Sequence, residues 1–276
     1  MKTRKAVGNI LLILTSVIWG SAFVSQRVGM ESIEPITFNA ARMALAAAAT
    51  WIVSLIIRLK NSKKIRFESA YGAPDIKSTV PGGVLCGLFL SAASISQQTG
   101  IVYTTAGKAG FITAMYIVIV PVISFFALKR RYPIIVWGGV AVGVAGMCLL
   151  CLTDGFSLTK GDALIFFCAL MFSFHILCCD RFVRRGDPVM MAAIQFTVCA
   201  AVSAVFALIF EQPSWDKIAS AAIPILYCGL ISGGVGYTLQ IVAQKMTDPA
   251  IAAMIMSLEA VFAVLSGAII RSVIPM

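Results

Sequence analysis

Three ionisable residues stand in stretches that offer them little polar company. Glu259 lies in SLEAVFAVLSGAII, Arg42 in NAARMALAA and His175 in FSFHILCC. A carboxylate in such a run either takes a cationic amine, carries a proton, or accepts a hydrogen bond from a neighbouring helix. A guanidinium there holds a carboxylate in a two-pronged grip, pairs with Glu259, or locks helices together. A buried imidazole relays protons or sits neutral and hydrogen-bonded. Trp19, Asn39, Gln98, Tyr116, Tyr237 and Gln240 add indole, phenol and amide groups to the same apolar surroundings. Such groups either grip a small polar molecule or tie helices to one another. The candidate ligand contacts are therefore Glu259, Arg42, Gln98, Gln240, Trp19, Tyr116, Asn39 and Tyr237, and the candidate proton carriers are Glu259 and His175. With one histidine in the chain, no metal-ligand spacing stands out.

The elements that must position these groups follow from composition. Hydrophobic residues make up 59% of the 276 and charged residues 12%, and the mean hydropathy is +0.93. That leaves too little polar surface to cover a water-soluble globule, so the chain belongs in a bilayer. A spanning helix needs about 20 mainly apolar residues. Nine such segments are expected, at 8–28, 36–57, 80–102, 109–128, 133–152, 162–179, 189–210, 222–242 and 250–270. The basic MKTRK start is read as the flank of the first span and not as a secretory leader, because no small-residue cleavage site follows it. All eight cysteines fall within these spans, which is core usage and not a disulfide framework. CLLC at 148–151 reads as packed thiols in a helix. No P-loop, nucleophile elbow or cofactor motif occurs, so neither catalysis nor a cofactor is expected.

The net charge of +10 is distributed by loop. With the N-terminus cytoplasmic, 16 Lys and Arg residues fall on the inner side and 5 on the outer, while Arg42 lies within a span. This is the positive-inside pattern, so the excess reports orientation and contact with anionic headgroups, and nucleic acid is not needed to explain it.

An internal repeat is also present. GNILLILTSVIWGSAFVSQRVGMESIEP aligns without a gap on GDALIFFCALMFSFHILCCDRFVRRGDP at an offset of 153 residues. CGL at 86–88 matches CGL at 228–230, which sets Gln98 on Gln240, and AMYIVIVPV from Ala114 meets AMIMSLEAV from Ala253. Five spans per half is an odd number, so the second half enters the membrane from the other side. The glycines Gly139, Gly143 and Gly146, and Gly229, Gly233 and Gly236, have small-residue spacing that serves close helix packing.

SVIWGSAFVSQRV, PITFNAARMALAA, YTTAGKAGFITAMYIVIVPVISFF and TDPAIAAMIMSLEAVFAVLSGAII together resemble the EamA-type transporters of the drug/metabolite transporter superfamily. The resemblance implies an all-α integral membrane bundle of two inverted five-helix repeats, here 1–153 and 154–276. Members of that family usually carry a tenth helix where this sequence runs GAIIRSVIPM, so the second repeat is expected to be truncated to four helices. The implied activity is secondary transport of small organic metabolites, amino acids or drug-like compounds, by alternating access, in the direction of export. The alternatives are a membrane scaffold or lipid-handling protein and an inactive fragment. The expected partners are a small-molecule substrate and the lipid bilayer, as a monomer or homodimer. The expected location is the inner (plasma) membrane, multi-pass, with the N-terminus cytoplasmic.

Overall fold

The computed structural model describes residues 2–61, 75–153 and 159–273. Within them the chain runs α1 (Lys2–Gly29), α2 (Pro35–Asn61), α3 (Ile76–Ile101), α4 (Ala106–Thr113), α5 (Tyr116–Phe126), α6 (Ile134–Thr153), α7 (Lys160–Val183), α8 (Pro188–Phe210), α9 (Trp215–Ser220), α10 (Ala222–Leu226), a π-helical stretch (Tyr227–Tyr237), α11 (Thr238–Gln244), α12 (Pro249–Met256) and α13 (Glu259–Val273). Among the described residues eight segments are long and apolar enough to cross a bilayer, and α4–α5, α10–α11 and α12–α13 each count as one. The shorter apolar helix at Ile134–Gly146 falls in the fifth expected span. Lys63, Lys64, Arg66 and residues 274–276 lie outside the described residues, as do the side chains of Cys148 and Cys151.

Helix starts are written in short polar signals. Asp75, Asp187 and Asp248 cap α3, α8 and α12 through backbone N–H groups, and Thr159 with Asp162 forms a capping box on α7. The start of α2 is capped by another helix: Ile36 and Thr37 N–H donate to the Glu211 carboxylate at 2.9 and 2.7 Å. A carboxylate at the positive end of a helix dipole ties α8 to α2.

Loop contacts sort into two faces. On one face Arg130 and Arg184 both donate to Asp180 at 2.7 Å, Asp75 N–H donates to Arg185 O at 2.8 Å, and Thr247 donates to Asn9 at 3.4 Å. On the other, Lys217 pairs with Glu34, Lys108 with Asp162 at 3.0 Å, and Arg27 donates to Ile101 O at 2.6 Å. The segment holding Glu34 and the segment holding Arg184, which are counterparts in the repeat, thus sit on opposite faces. The halves are inverted relative to each other.

Packing restates the repeat. A Cβ added to Gly87 would lie 2.9 Å from Gln195 O and 2.6 Å from Val198 Cβ; one added to Gly229 would lie 2.9 Å from Arg42 O and 3.0 Å from Leu45 Cβ. Gln195 and Val198 are the 153-residue counterparts of Arg42 and Leu45. Glycine is needed at both places because backbones meet there, as spacing implied for Gly229. Past the π-helical stretch the register changes. Gly161 meets Gly100 O and Tyr103 Cβ, while Gly8 meets Ala243 O and Met246 Cβ. The offset between spans three and eight is therefore 142 at Gly87 and Gly229, and 143 from Gly100 and Ala243 onward. A π-helix bonds i to i+5 and takes in an extra residue without breaking the helix. This corrects the alignment read from sequence: Gln97, and not Gln98, is the counterpart of Gln240.

The same offset of 143 carries α4 onto α12, since Thr105 and Asp248 are both N-caps and both helices have 8 residues. Each then breaks over two residues, Ala114–Met115 and Ser257–Leu258, and restarts at Tyr116 and Glu259. Short i to i−3 bonds close the breaks, among them Met115 N–H to Ile112 O at 3.1 Å and Leu258 N–H to Ile255 O at 3.2 Å. The expected match of Ala114 with Ala253 is thereby corrected by four residues, and Tyr116 falls on Glu259.

Candidate functional site

Tyr116 and Glu259 each lie ten residues from the start of their broken span, having entered from opposite faces. At 1.5 Å per residue both reach about 15 Å, half of a hydrocarbon core about 30 Å thick. There they meet: the Tyr116 hydroxyl donates to Glu259 Oε1 at 2.9 Å. Both open a half-helix, and the positive end of α13 lies beside the carboxylate it begins with. Inverted-repeat carriers place binding sites at such joints between half-helices.

A cavity surrounds this pair, lined among others by Trp19, Arg42, Tyr237 and Gln240. The repeat is visible in its wall. Trp19 and Phe172, Phe23 and Ile176, Gln97 and Gln240, and Tyr116 and Glu259 all line it, each pair related by the offsets established above. The two charges break the symmetry. Arg42 has Gln195 as its counterpart, and Glu259 has Tyr116.

Arg42 is 2% exposed and Glu259 3%. Arg42 Nε donates to Asn39 Oδ1 at 3.0 Å, while its Nη2 is buried with no hydrogen-bond partner. Among the described residues neither Arg42 nor Glu259 has an ion pair, so of the alternatives read from the sequence the direct pairing of the two is not found. A buried guanidinium nitrogen left without an acceptor is costly.

Six of the eight candidate contacts read from the sequence therefore line one cavity: Glu259, Arg42, Gln240, Trp19, Tyr116 and Tyr237. Asn39 stands one layer back, accepting from Arg42 and donating to Ser94 at 3.0 Å and Ser203 at 2.8 Å. Gln98 is also outside the wall and donates to Gln26 Oε1. His175 faces away, with Nε2 2.9 Å from Gln195 Oε1. Sequence reasoning missed Gln26, Gln97 and Thr113. Gln97 was one residue from the position chosen, and the π-helical register change hid it. Trp19 also spans the two halves, its indole N–H donating to Ser232 O within the π-helical stretch at 3.2 Å.

Comparison with known proteins agrees with this geometry. The EamA-like transporter family matches residues 6–152 and 159–274. An uncharacterised transporter of Archaeoglobus fulgidus is 29% identical over 260 residues, covering 94% of this chain and 77% of that protein. The Bacillus subtilis uncharacterised transporter YcxC is 26% identical over 272 residues, covering 90% of this chain and 81% of its own. A crystal structure sharing 18% identity superposes with a TM-score of 0.69 over 95% of this chain and 87% of the other, which establishes likeness of fold. With its two-repeat helical bundle and its matched halves, this chain is a multi-pass membrane protein belonging to the EamA-like transporter family.

Proposed function

We propose that this transporter is a secondary carrier that exports small organic metabolites carrying both acidic and basic groups, amino acids or similar drug-like compounds, by alternating access. The observation that carries this reading is one cavity, at the joint between two half-helices, holding a guanidinium whose Nη2 has no acceptor and a carboxylate not paired with it. Arg42 binds the substrate carboxylate and Glu259 its ammonium, with Tyr116 orienting Glu259 and Gln240, Trp19 and Tyr237 forming the wall. Gln98 and Asn39 support the wall from behind. Glu259 is the proton carrier; His175, the second candidate read from the sequence, is outside the cavity wall and bonded to Gln195, and takes no part in this reading. Repeats 1–153 and 154–276 rock against each other, opening the cavity to each face in turn. The basic face is cytoplasmic, by the 16-to-5 bias of Lys and Arg, in an inner (plasma) membrane. The carrier works as a monomer or homodimer without nucleic acid or cofactor.

The test is counterflow in proteoliposomes preloaded with a mixed amino-acid pool. Exchange of at least one zwitterionic amino acid is expected in the wild type. Its loss is expected in Glu259→Gln, which keeps an acceptor for the Tyr116 hydroxyl and so preserves the fold. Equal flux in wild type and variant would remove Glu259 from the site, and wild-type flux confined to uncharged solutes would refute the substrate class.

A further inference from the structure

One buried cluster lies outside the cavity. Cys86 on α3 meets His175 and Cys179 on α7, all three are 0% exposed, and their ligand atoms lie within 4.8 Å of one another. His175 and Cys179 are four apart, which sets them on one helix face. Gly82, Gly83 and Gly87 hold α3 tightly against α7 and α8, since an added Cβ would fall 2.5 Å from Phe182, 2.7 Å from Ile194 and 2.6 Å from Val198. Cys86 is thereby fixed opposite Cys179. The wide sequence separation of 93 residues is why spacing did not reveal the cluster.

We propose that Cys86, His175 and Cys179 form a binding site for a thiophilic divalent cation, with zinc as its ordinary occupant. Zinc binds sulfur at about 2.3 Å and nitrogen at about 2.0–2.1 Å, so tetrahedral ligands stand roughly 3.8 Å (S to S) and 3.6 Å (S to N) apart. Here Cys86 Sγ and Cys179 Sγ are 3.5 Å apart, and Cys179 Sγ is 3.7 Å and 4.0 Å from His175 Nε2 and Nδ1. The third edge, Cys86 Sγ to the His175 ring nitrogens, is within 4.8 Å, so the ligands draw in by roughly 1 Å on loading. Gln195 Oε1 accepts from His175 Nε2 at 2.9 Å, which leaves the Nδ1 lone pair for the metal and holds the ring in place. Cys178 interacts with Cys86 from the same helix as His175 and Cys179.

Charge favours a divalent ion. Zinc, two thiolates and a neutral imidazole sum to zero, so the loaded site puts no net charge into the hydrocarbon region. Loading releases the two thiol protons to water. Soft thiolate and imidazole donors select zinc or cadmium over magnesium and calcium. The His175 and Tyr237 rings are 6.0 Å apart, so the site lies one side chain behind the cavity wall.

The experiment uses the full, untagged chain in detergent, reduced with a phosphine, desalted and titrated with cobalt(II). One cobalt per chain is expected, with a thiolate-to-cobalt charge-transfer band and the visible bands of tetrahedral cobalt, displaced by zinc. Gln195→Leu should weaken binding about 10- to 100-fold. Cys86→Ser and Cys179→Ser should abolish the bands, and Cys168→Ser should leave them intact. In the wild type, zinc should protect Cys86 and Cys179 from alkylation, read by peptide mass, which covers the case of a misfolded variant. Absence of the bands in fully reduced protein, or alkylation unaffected by zinc, would overturn the site. Neither result bears on counterflow, so this inference and the transport reading fail separately.

Discussion

Gly20 sits where span one crosses the joint of span nine. A Cβ added there would lie 2.4 Å from Phe262 Cβ and 2.8 Å from both Glu259 O and Phe262 C. Two of these three atoms are backbone, so a side-chain rotation does not relieve the contact. Ordinary contact begins near 3.4 Å, so Gly20→Ala must push α1 from α13 by about 1 Å at the level of Glu259. Overpacking of this kind costs about 1–3 kcal/mol. At roughly 2–4 °C per kcal/mol, the apparent Tm in detergent falls by several degrees. A 1 Å displacement of a binding group costs on the order of 100-fold in function, so counterflow should suffer more than stability does. Gly138→Ala is the control, because an added Cβ there meets nothing within 4 Å. Both variants would be compared by thermal unfolding and by counterflow. Equal Tm and flux in Gly20→Ala and wild type, or equal damage from Gly138→Ala, would refute the reasoning.

Arg42→Met replaces a poorly partnered buried charge with an apolar chain of similar reach. Stability should hold or rise by up to about 4 kcal/mol while counterflow is lost, and a large fall in Tm would instead mark Arg42 as a brace between helices. Asp180 is 1% exposed on its side chain and accepts from two arginines; Asp180→Asn should cost about 3 kcal/mol, read as a lower Tm, with an unchanged Tm refuting the pairing. Glu34 is held below its usual value of 4.5, chiefly by its hydrogen bond to Lys217. A lowered carboxylate stabilises the fold above its unfolded value and loses that contribution as pH falls through the folded one. Wild type should therefore exceed Glu34→Gln in Tm near neutral pH and not in acid well below the usual value of 4.5. The margin should be under about 1 kcal/mol because the pair is partly exposed.

The architecture was legible because hydropathy and loop charge are local properties. The nine apolar segments and the inverted threading follow from run lengths and from an odd number of spans per half, neither of which needs tertiary contacts. Glu259, Arg42, Trp19, Tyr116, Tyr237 and Gln240 were legible as polar groups isolated in apolar runs, where burial forces a partner or a cavity. What stayed hidden depends on backbone hydrogen-bond register. The π-helical stretch adds one residue without a Pro or a charge to mark it, and it carried Gln98 into the place of Gln97. The breaks at Ala114–Met115 and Ser257–Leu258 contain no proline, so the match of Tyr116 to Glu259 rests on caps at Thr105 and Asp248 that look unlike in sequence.

That match bears on how a symmetric frame binds an asymmetric ligand. If Tyr116 and Glu259 were both carboxylates, the two-fold would bring like charges to within hydrogen-bond distance, and one would have to carry a proton. With two tyrosines the joint would carry no charge. One of each gives a donor and an acceptor that satisfy each other at 2.9 Å, and under the proposed function the remaining carboxylate oxygen takes the ligand. The same holds for Arg42 and Gln195: a second guanidinium would add a like charge to the same buried region, whereas Gln195 is free to bond His175. Pairing by the repeat thus supplies the related half-helices and packed glycines that the proposed two-sided access requires. Divergence at two positions gives that cavity a basic group and an acidic group at fixed, different places. Under the proposed alternation, a ligand with one carboxylate and one ammonium keeps the same orientation whichever face is open.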